Sequence, residues 1–125
     1  MAKEKIIVIR ADNKLELHDI ARVDGGYLED LHRLVGGYIE IVHPVGLEDT
    51  FVLVCNEEGK LIGLPVNRAA SLMYGVRDHG IPMNGDIVLM KEGYYEGEPD
   101  LLALTEAEAS AMFENLKRRF TFLKS

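Results

Sequence analysis

Residues 35–67, VGGYIEIVHPVGLEDTFVLVCNEEGKLIGLPVN, hold the pattern that decides the fold. Between Tyr38 and His43 the chain alternates, with Ile39 and Ile41 facing one way and Tyr38, Glu40 and Val42 the other. That is the period of a strand with two unlike faces. Phe51 to Cys55 is apolar at every position, as expected of a strand buried from both sides. Leu61 to Leu64 reads as a short third strand, stopped by Pro65, which has no N–H to give to a ladder. Asn56-Glu57-Glu58-Gly59 would join the last two as a hairpin loop, with Asn at the first corner and Gly in the left-handed conformation that closes it. The link from His43 to Thr50 is longer and is broken by Pro44 and Gly46. The expectation is a central three-stranded antiparallel meander.

On the N-terminal side, Ile6–Ile9 and Leu15–Ile20 flank the polar Asp12-Asn13 and predict a hairpin. Leu28, Leu31, Leu34 and Val35 then fall at helical spacing, with Asp24 in place to cap the start and Gly36 to end the helix. After the meander, Asn67 is a good N-cap for a second short helix running to Tyr74 and closed by Gly75. Val76–Gly85 reads as a loop, Asp86–Met90 as another buried strand, and the acidic run Glu96–Asp100 as a solvent loop. Leu101–Leu104 is either a short edge strand or the approach to the last helix. Thr105 and Glu108 have the spacing of a capping box for that helix. Its apolar stripe is Ala109, Met112 or Phe113, Leu116, Phe120 and Leu123. The resulting class is α+β: a mainly antiparallel sheet with a central three-stranded meander, two short helices and a C-terminal amphipathic helix. One domain is expected over residues 1–125, with a core at 4–104 and the last helix at 105–123.

Charge bounds the partners. With 21 acidic against 14 basic residues the net charge is -7, so no direct nucleic-acid surface is expected. A single cysteine excludes an internal disulfide and a cysteine-based zinc cluster. The apolar run at Ile6–Ile9 is too short for a signal peptide, no segment approaches the length of a membrane span, and a cytoplasmic location is expected.

The residues that carry chemistry are few. His18, His32, His43 and His79 have no partners at metal-ligand spacing, and HExxH is absent. Ser71 and Ser110 fall in predicted helices without a nucleophile elbow. Cys55 beside His43 is the one nucleophile–base pairing that neighbouring strands could make, and it reads better as a core thiol and a strand-end histidine. The glycine pairs Gly25-Gly26 and Gly36-Gly37 lack the spacing of a phosphate loop. Glu40, in mid-strand, must face water, pair with a cation or serve a site. Glu57 and Glu58 read as turn corners. Asn67-Arg68, at a helix start, has the chemistry to hold an anion beside its capping role. No catalytic residue, metal ligand or cofactor is assigned.

LVGGYIEIVHP (34–44), LVCNEEGKLIGLPVNRAA (53–70) and GDIVLM (85–90) together resemble a domain-of-unknown-function family of the DUF 3846 type, common in phages, plasmids and integrated bacterial elements. The similarity runs from about Ile6 to Met90, with the C-terminal helix matching more loosely. The family's recurring polar positions correspond to Glu40, Asn56, Glu57, Gly59 and Asn67. The resemblance implies an accessory protein of mobile elements with no established reaction, cofactor or partner.

The leading expectation is therefore a small non-enzymatic accessory protein that binds a host protein or a small polar, nucleotide-like ligand. Its surface would be drawn from Tyr38, Glu40, Asn56, Glu57, Asn67 and Arg68. One alternative is a small hydrolase with Glu40 or Asp86 as general base. The other is a homo-oligomer that associates through Tyr94, Tyr95 and the run Phe120–Leu123.

Overall fold

Five strands run side by side in the order β2-β1-β5-β4-β3, and every pairing is antiparallel. They are β1 (Glu4–Ile9), β2 (Leu15–Ile20), β3 (Ile39–Val42), β4 (Phe51–Asn56) and β5 (Ile87–Tyr95). The structure, a computed structural model, describes residues 4–24, 26–76 and 80–125. Gly25, His79 and part of the loop expected at Val76–Gly85 lie outside these residues.

Among the described residues three helices cover the sheet: α1 (Leu28–Val35), α2 (Arg68–Tyr74) and α3 (Glu106–Arg119). Strand alternation sorts the core into two layers. Ile7, Ile9, Leu53, Cys55, Ile87 and Leu89 pack with Ala69, Ala70 and Met73 of α2 and with Ala109 and Leu116 of α3. Ile6, Val8, Val52, Val54, Val88 and Met90 pack with Leu31 and Val35 of α1. Ile7, Leu89 and Leu53 stand opposite one another in register across three strands, each fully buried. Burying a side chain of this size stabilises by about 1.5–3 kcal/mol. The class is α+β, and β4 is buried from both sides as its composition demands.

The local signals for helix ends are realised. Gly36 and Gly75 end α1 and α2 in the left-handed conformation, at φ 82° and 96°. Asn67 Oδ1 accepts from Ala70 N, and Thr105 with Glu108 forms the reciprocal capping box. Asp24 does not cap α1; Tyr27 occupies that position without a side-chain bond.

Leu61–Leu64 is not a strand. Residues 57–63 coil through successive turns, and Leu61 is 87% exposed, so the apolar run faces water instead of a ladder. The third strand of the meander is β5, which bonds to β4 at Phe51–Val54. Gly59 is accordingly not the left-handed residue of a hairpin. Its constraint is space, since a Cβ there would stand 3.1 Å from the carbonyl oxygen of Asn84.

The acidic run 96–100 is also more ordered than its composition suggests. Glu96 and Gly97, both at positive φ (51° and 82°), form the tight turn of a hairpin between β5 and β6 (Glu98–Leu102). Beyond Ala103, β7 (Leu104–Thr105) pairs with Glu4 and Lys5 of β1. One continuous stretch therefore bonds first to β5 and then to β1 where those strands diverge. The C-terminal segment closes on the N-terminal hairpin, with Leu15 N donating to Lys124 O (2.7 Å) and Lys124 N to Asn13 O (2.9 Å). In that segment Phe120 and Leu123 are buried in the core.

Candidate functional site

The antiparallel register sets Glu40 of β3 opposite Cys55 of β4. Both point to the face that α2 covers, where they line a cleft of about 170 Å³. Asn56, Glu57, Gly59 and Lys60 form one wall as the chain turns out of β4, and Ile81–Asn84 forms another. Three hydrogen bonds hold the turn: Glu58 N to Asn56 Oδ1 (2.8 Å), Gly59 N to Asn56 O (3.1 Å) and Glu57 N to Tyr38 O (2.8 Å). The other end of the Asn56 amide donates to Val35 O (3.2 Å), which ties the turn to the end of α1.

Cys55 Sγ lies 3.6 Å from the carbonyl oxygen of Glu40 and 3.9 Å from Glu40 Oε1. Burial, reinforced by the negative charge and hydrogen bond of Glu40, pushes the thiol up to about 12. It is a neutral donor at physiological pH and a poor nucleophile. His43 is no partner to it, because its Nε2 bonds Glu92 Oε1 at 2.6 Å.

Asn84 also lines this cleft. Its Nδ2 donates to Leu64 O (2.8 Å), while its Oδ1 is buried and has no donor among the described residues. A buried acceptor left in that state costs about 1–3 kcal/mol. Nothing local in the sequence signals this role, since Asn84-Gly85 reads only as a turn dipeptide.

Of the six expected binding residues, Glu40, Asn56 and Glu57 share this concavity. Tyr38 stands outside it, 70% exposed, with its ring edge-on to His32 at 5.6 Å. Asn67 is fully buried. Its Nδ2 donates to Ile9 O (2.8 Å) and Gly85 O (3.0 Å), so with the cap at Ala70 three backbone groups engage its amide. Arg68 opens onto a different cleft, which shares no lining residue with this one.

Asp86, the other candidate base, is held on both oxygens, by Arg10 Nη1 (3.0 Å) and by Ala11 N (2.9 Å). Arg10 also grips Glu16 with two N–H groups, at 3.1 and 2.9 Å, and Glu16 bonds His18 at 2.8 Å. Arg10, then His18, hold the Glu16 carboxyl below its ordinary range. This ion network borders a hollow of about 720 Å³. Among the described residues no group of three His, Cys, Asp or Glu is placed to hold a metal ion, and no helix is long and apolar enough to cross a membrane.

An α+β domain with a small acidic cleft at the end of its central strands is the class that fold and site define. A family profile for the domain of unknown function DUF3846 matches residues 3–117, and the chain belongs to that family. No curated protein and no solved structure matches it.

Proposed function

We propose that this chain is a non-enzymatic accessory binding protein of a phage or mobile element. Its cleft beside Glu40 holds a lysine or arginine side chain presented by a host protein. The observation that carries the reading is the pair of carboxylates, Glu40 and Glu57, that line one small cleft beside the buried amide of Asn84. A cationic donor entering there would pair with a carboxylate, and a charge-assisted bond of this kind contributes about 1.5–3 kcal/mol. Among the described residues Lys60 is the one basic residue on the lining, against two carboxylates. The volume, about 170 Å³, suits one side chain better than a nucleotide.

Catalysis is the weaker reading on the same geometry. The thiol beside Glu40 stays protonated, and Asp86 is committed to Arg10 and Ala11. Titration with Nα-acetyl-lysine amide and Nα-acetyl-arginine amide, followed by amide NMR, tests the proposal. Saturable shifts at Glu40, Glu57 and Asn84, lost in Glu40→Gln and absent with the norleucine analogue, support it. Shifts that persist in Glu40→Gln, or none up to millimolar ligand, overturn it.

A further inference from the structure

The second cleft bordering α2 has the opposite charge. It has a volume of about 520 Å³ and is lined by Arg68 and Leu72 of α2, by Val45 and Gly46 of the β3–β4 connection, and by Arg119 to Phe122. No carboxylate among the described residues lines it, although the chain carries 21.

The two guanidinium groups here differ from most of the others. Arg10, Arg22 and Arg33 each bond a carboxylate, at 3.0 Å or less. Arg68, Arg118 and Arg119 have no carboxylate partner among the described residues, and two of these three line the same cleft. Both are nevertheless held in place. Arg68 lies 3.9 Å over the Phe122 ring, and Arg119 lies 5.2 Å from the Phe120 ring and donates from Nη1 to Gly46 O at 3.1 Å. The guanidinium packs close against Gly46, where an added Cβ would stand 3.0 Å from Arg119 Nη2 and oblige it to shift.

We infer that this cleft is a binding site for a phosphomonoester, with Arg68 and Arg119 as the two arms that hold the phosphate. Guanidinium groups positioned by aromatic faces keep N–H donors directed outward and lose little side-chain freedom when an oxyanion arrives. Thr121 supplies a hydroxyl on the lining, and Val45, Leu72 and Phe120 supply apolar wall for the organic part. In a chain of net charge -7 the general field repels anions, so affinity must come from these local charges and will fall steeply with salt. The site is separate from the acidic cleft and does not depend on what that cleft holds.

The phosphate could come from a free metabolite or from a phosphorylated protein. The test is therefore NMR titration with inorganic phosphate, adenosine 5′-monophosphate and a phosphoserine peptide, reading Arg side-chain N–H and Thr121 amide resonances. At least one organic phosphomonoester is expected to bind tenfold or more tighter than inorganic phosphate. Which one binds identifies the source. Arg68→Gln and Arg119→Gln should each weaken binding tenfold or more. Gly46→Ala, which changes no charge, should also weaken it by displacing Arg119. Unperturbed resonances with all three probes at millimolar concentration would overturn the inference. So would full affinity in both arginine variants, or an organic phosphate no tighter than inorganic phosphate.

Discussion

Asn67 donates from its side-chain amide to the carbonyl oxygen of Ile9 across 2.8 Å, tying the first turn of α2 to the end of β1. The same amide reaches Gly85 O, one residue before Asp86 leads into β5, and its oxygen caps Ala70 N. One buried side chain thus sets the position of a helix against two neighbouring strands.

Removing it should unfold rather than disarm the protein. Asn67→Ala is expected to destabilise by about 2–4 kcal/mol, from a lost N-cap and two buried carbonyls left without a donor. Asn67→Asp keeps the cap but turns an acceptor toward both carbonyls, and it should be no better. Urea denaturation of the two variants checks this, and a loss under 0.5 kcal/mol in both would refute the assignment.

The Cys55 thiol, held near 12 instead of 9.0 by burial and by Glu40, should resist alkylation. A shift of this size lowers the thiolate fraction at pH 8 by about a thousandfold. Iodoacetamide labelling of the native chain should therefore be far slower than in urea, and Glu40→Gln should speed it. The linkage has a definite sign. The unfolded thiol ionises first, so the stability it confers is present below pH 9 and is lost as pH rises towards 12. Tyr27 acts in the same direction, since burial and its bond to Glu4 push its hydroxyl from 10.0 to about 12. Denaturation midpoints should decline above pH 9, less steeply in Cys55→Ala.

Glu108 serves two elements at once, capping α3 and accepting from Lys91 Nζ at 2.8 and 2.9 Å. Burial works to raise its pKa, but the bonds to Lys91 and Thr105 outweigh this and hold it below 4.5. Its contribution is present above the unfolded value and disappears as pH falls through the folded one. Glu108→Gln should cost about 1–2 kcal/mol at pH 7 and much less near pH 3. An equal loss at both pH values would count against the ion pair.

Glu96 sits at φ 51° in the β5–β6 turn, a conformation that asparagine and glycine adopt more readily. Glu96→Asn should stabilise by about 0.5–1 kcal/mol. Thermal melts measure it, and an unchanged or lower midpoint would show that the glutamate side chain contributes something else.

The features legible in the sequence were those that act over a few residues. The β1–β2 hairpin, the glycine ends of α1 and α2, the cap at Asn67 and the box at Thr105 and Glu108 each depend on neighbours within one turn. Leu61–Leu64 misled because apolar content alone does not distinguish a strand from a surface turn; what decides is a partner, and β5 had already taken that edge of β4. Strand β6 was hidden by Glu98, Pro99 and Asp100, residues tolerated there because the strand is short and exposed at that end. Within the site, Glu40, Asn56 and Glu57 were found together because adjacent strands carry them. Arg119 and Asn84 were not, since only tertiary packing brings them to their clefts.

The N-terminal strand meets β2 almost at once, but its other neighbours arrive only with residues 87–89 and 104–105. The hairpin it starts must therefore wait with one side bare while most of the chain is still being made. Such topology makes assembly slow and leaves early intermediates prone to pairing with one another. Recovery of native protein from dilute rather than concentrated refolding mixtures would be the practical sign of that delay.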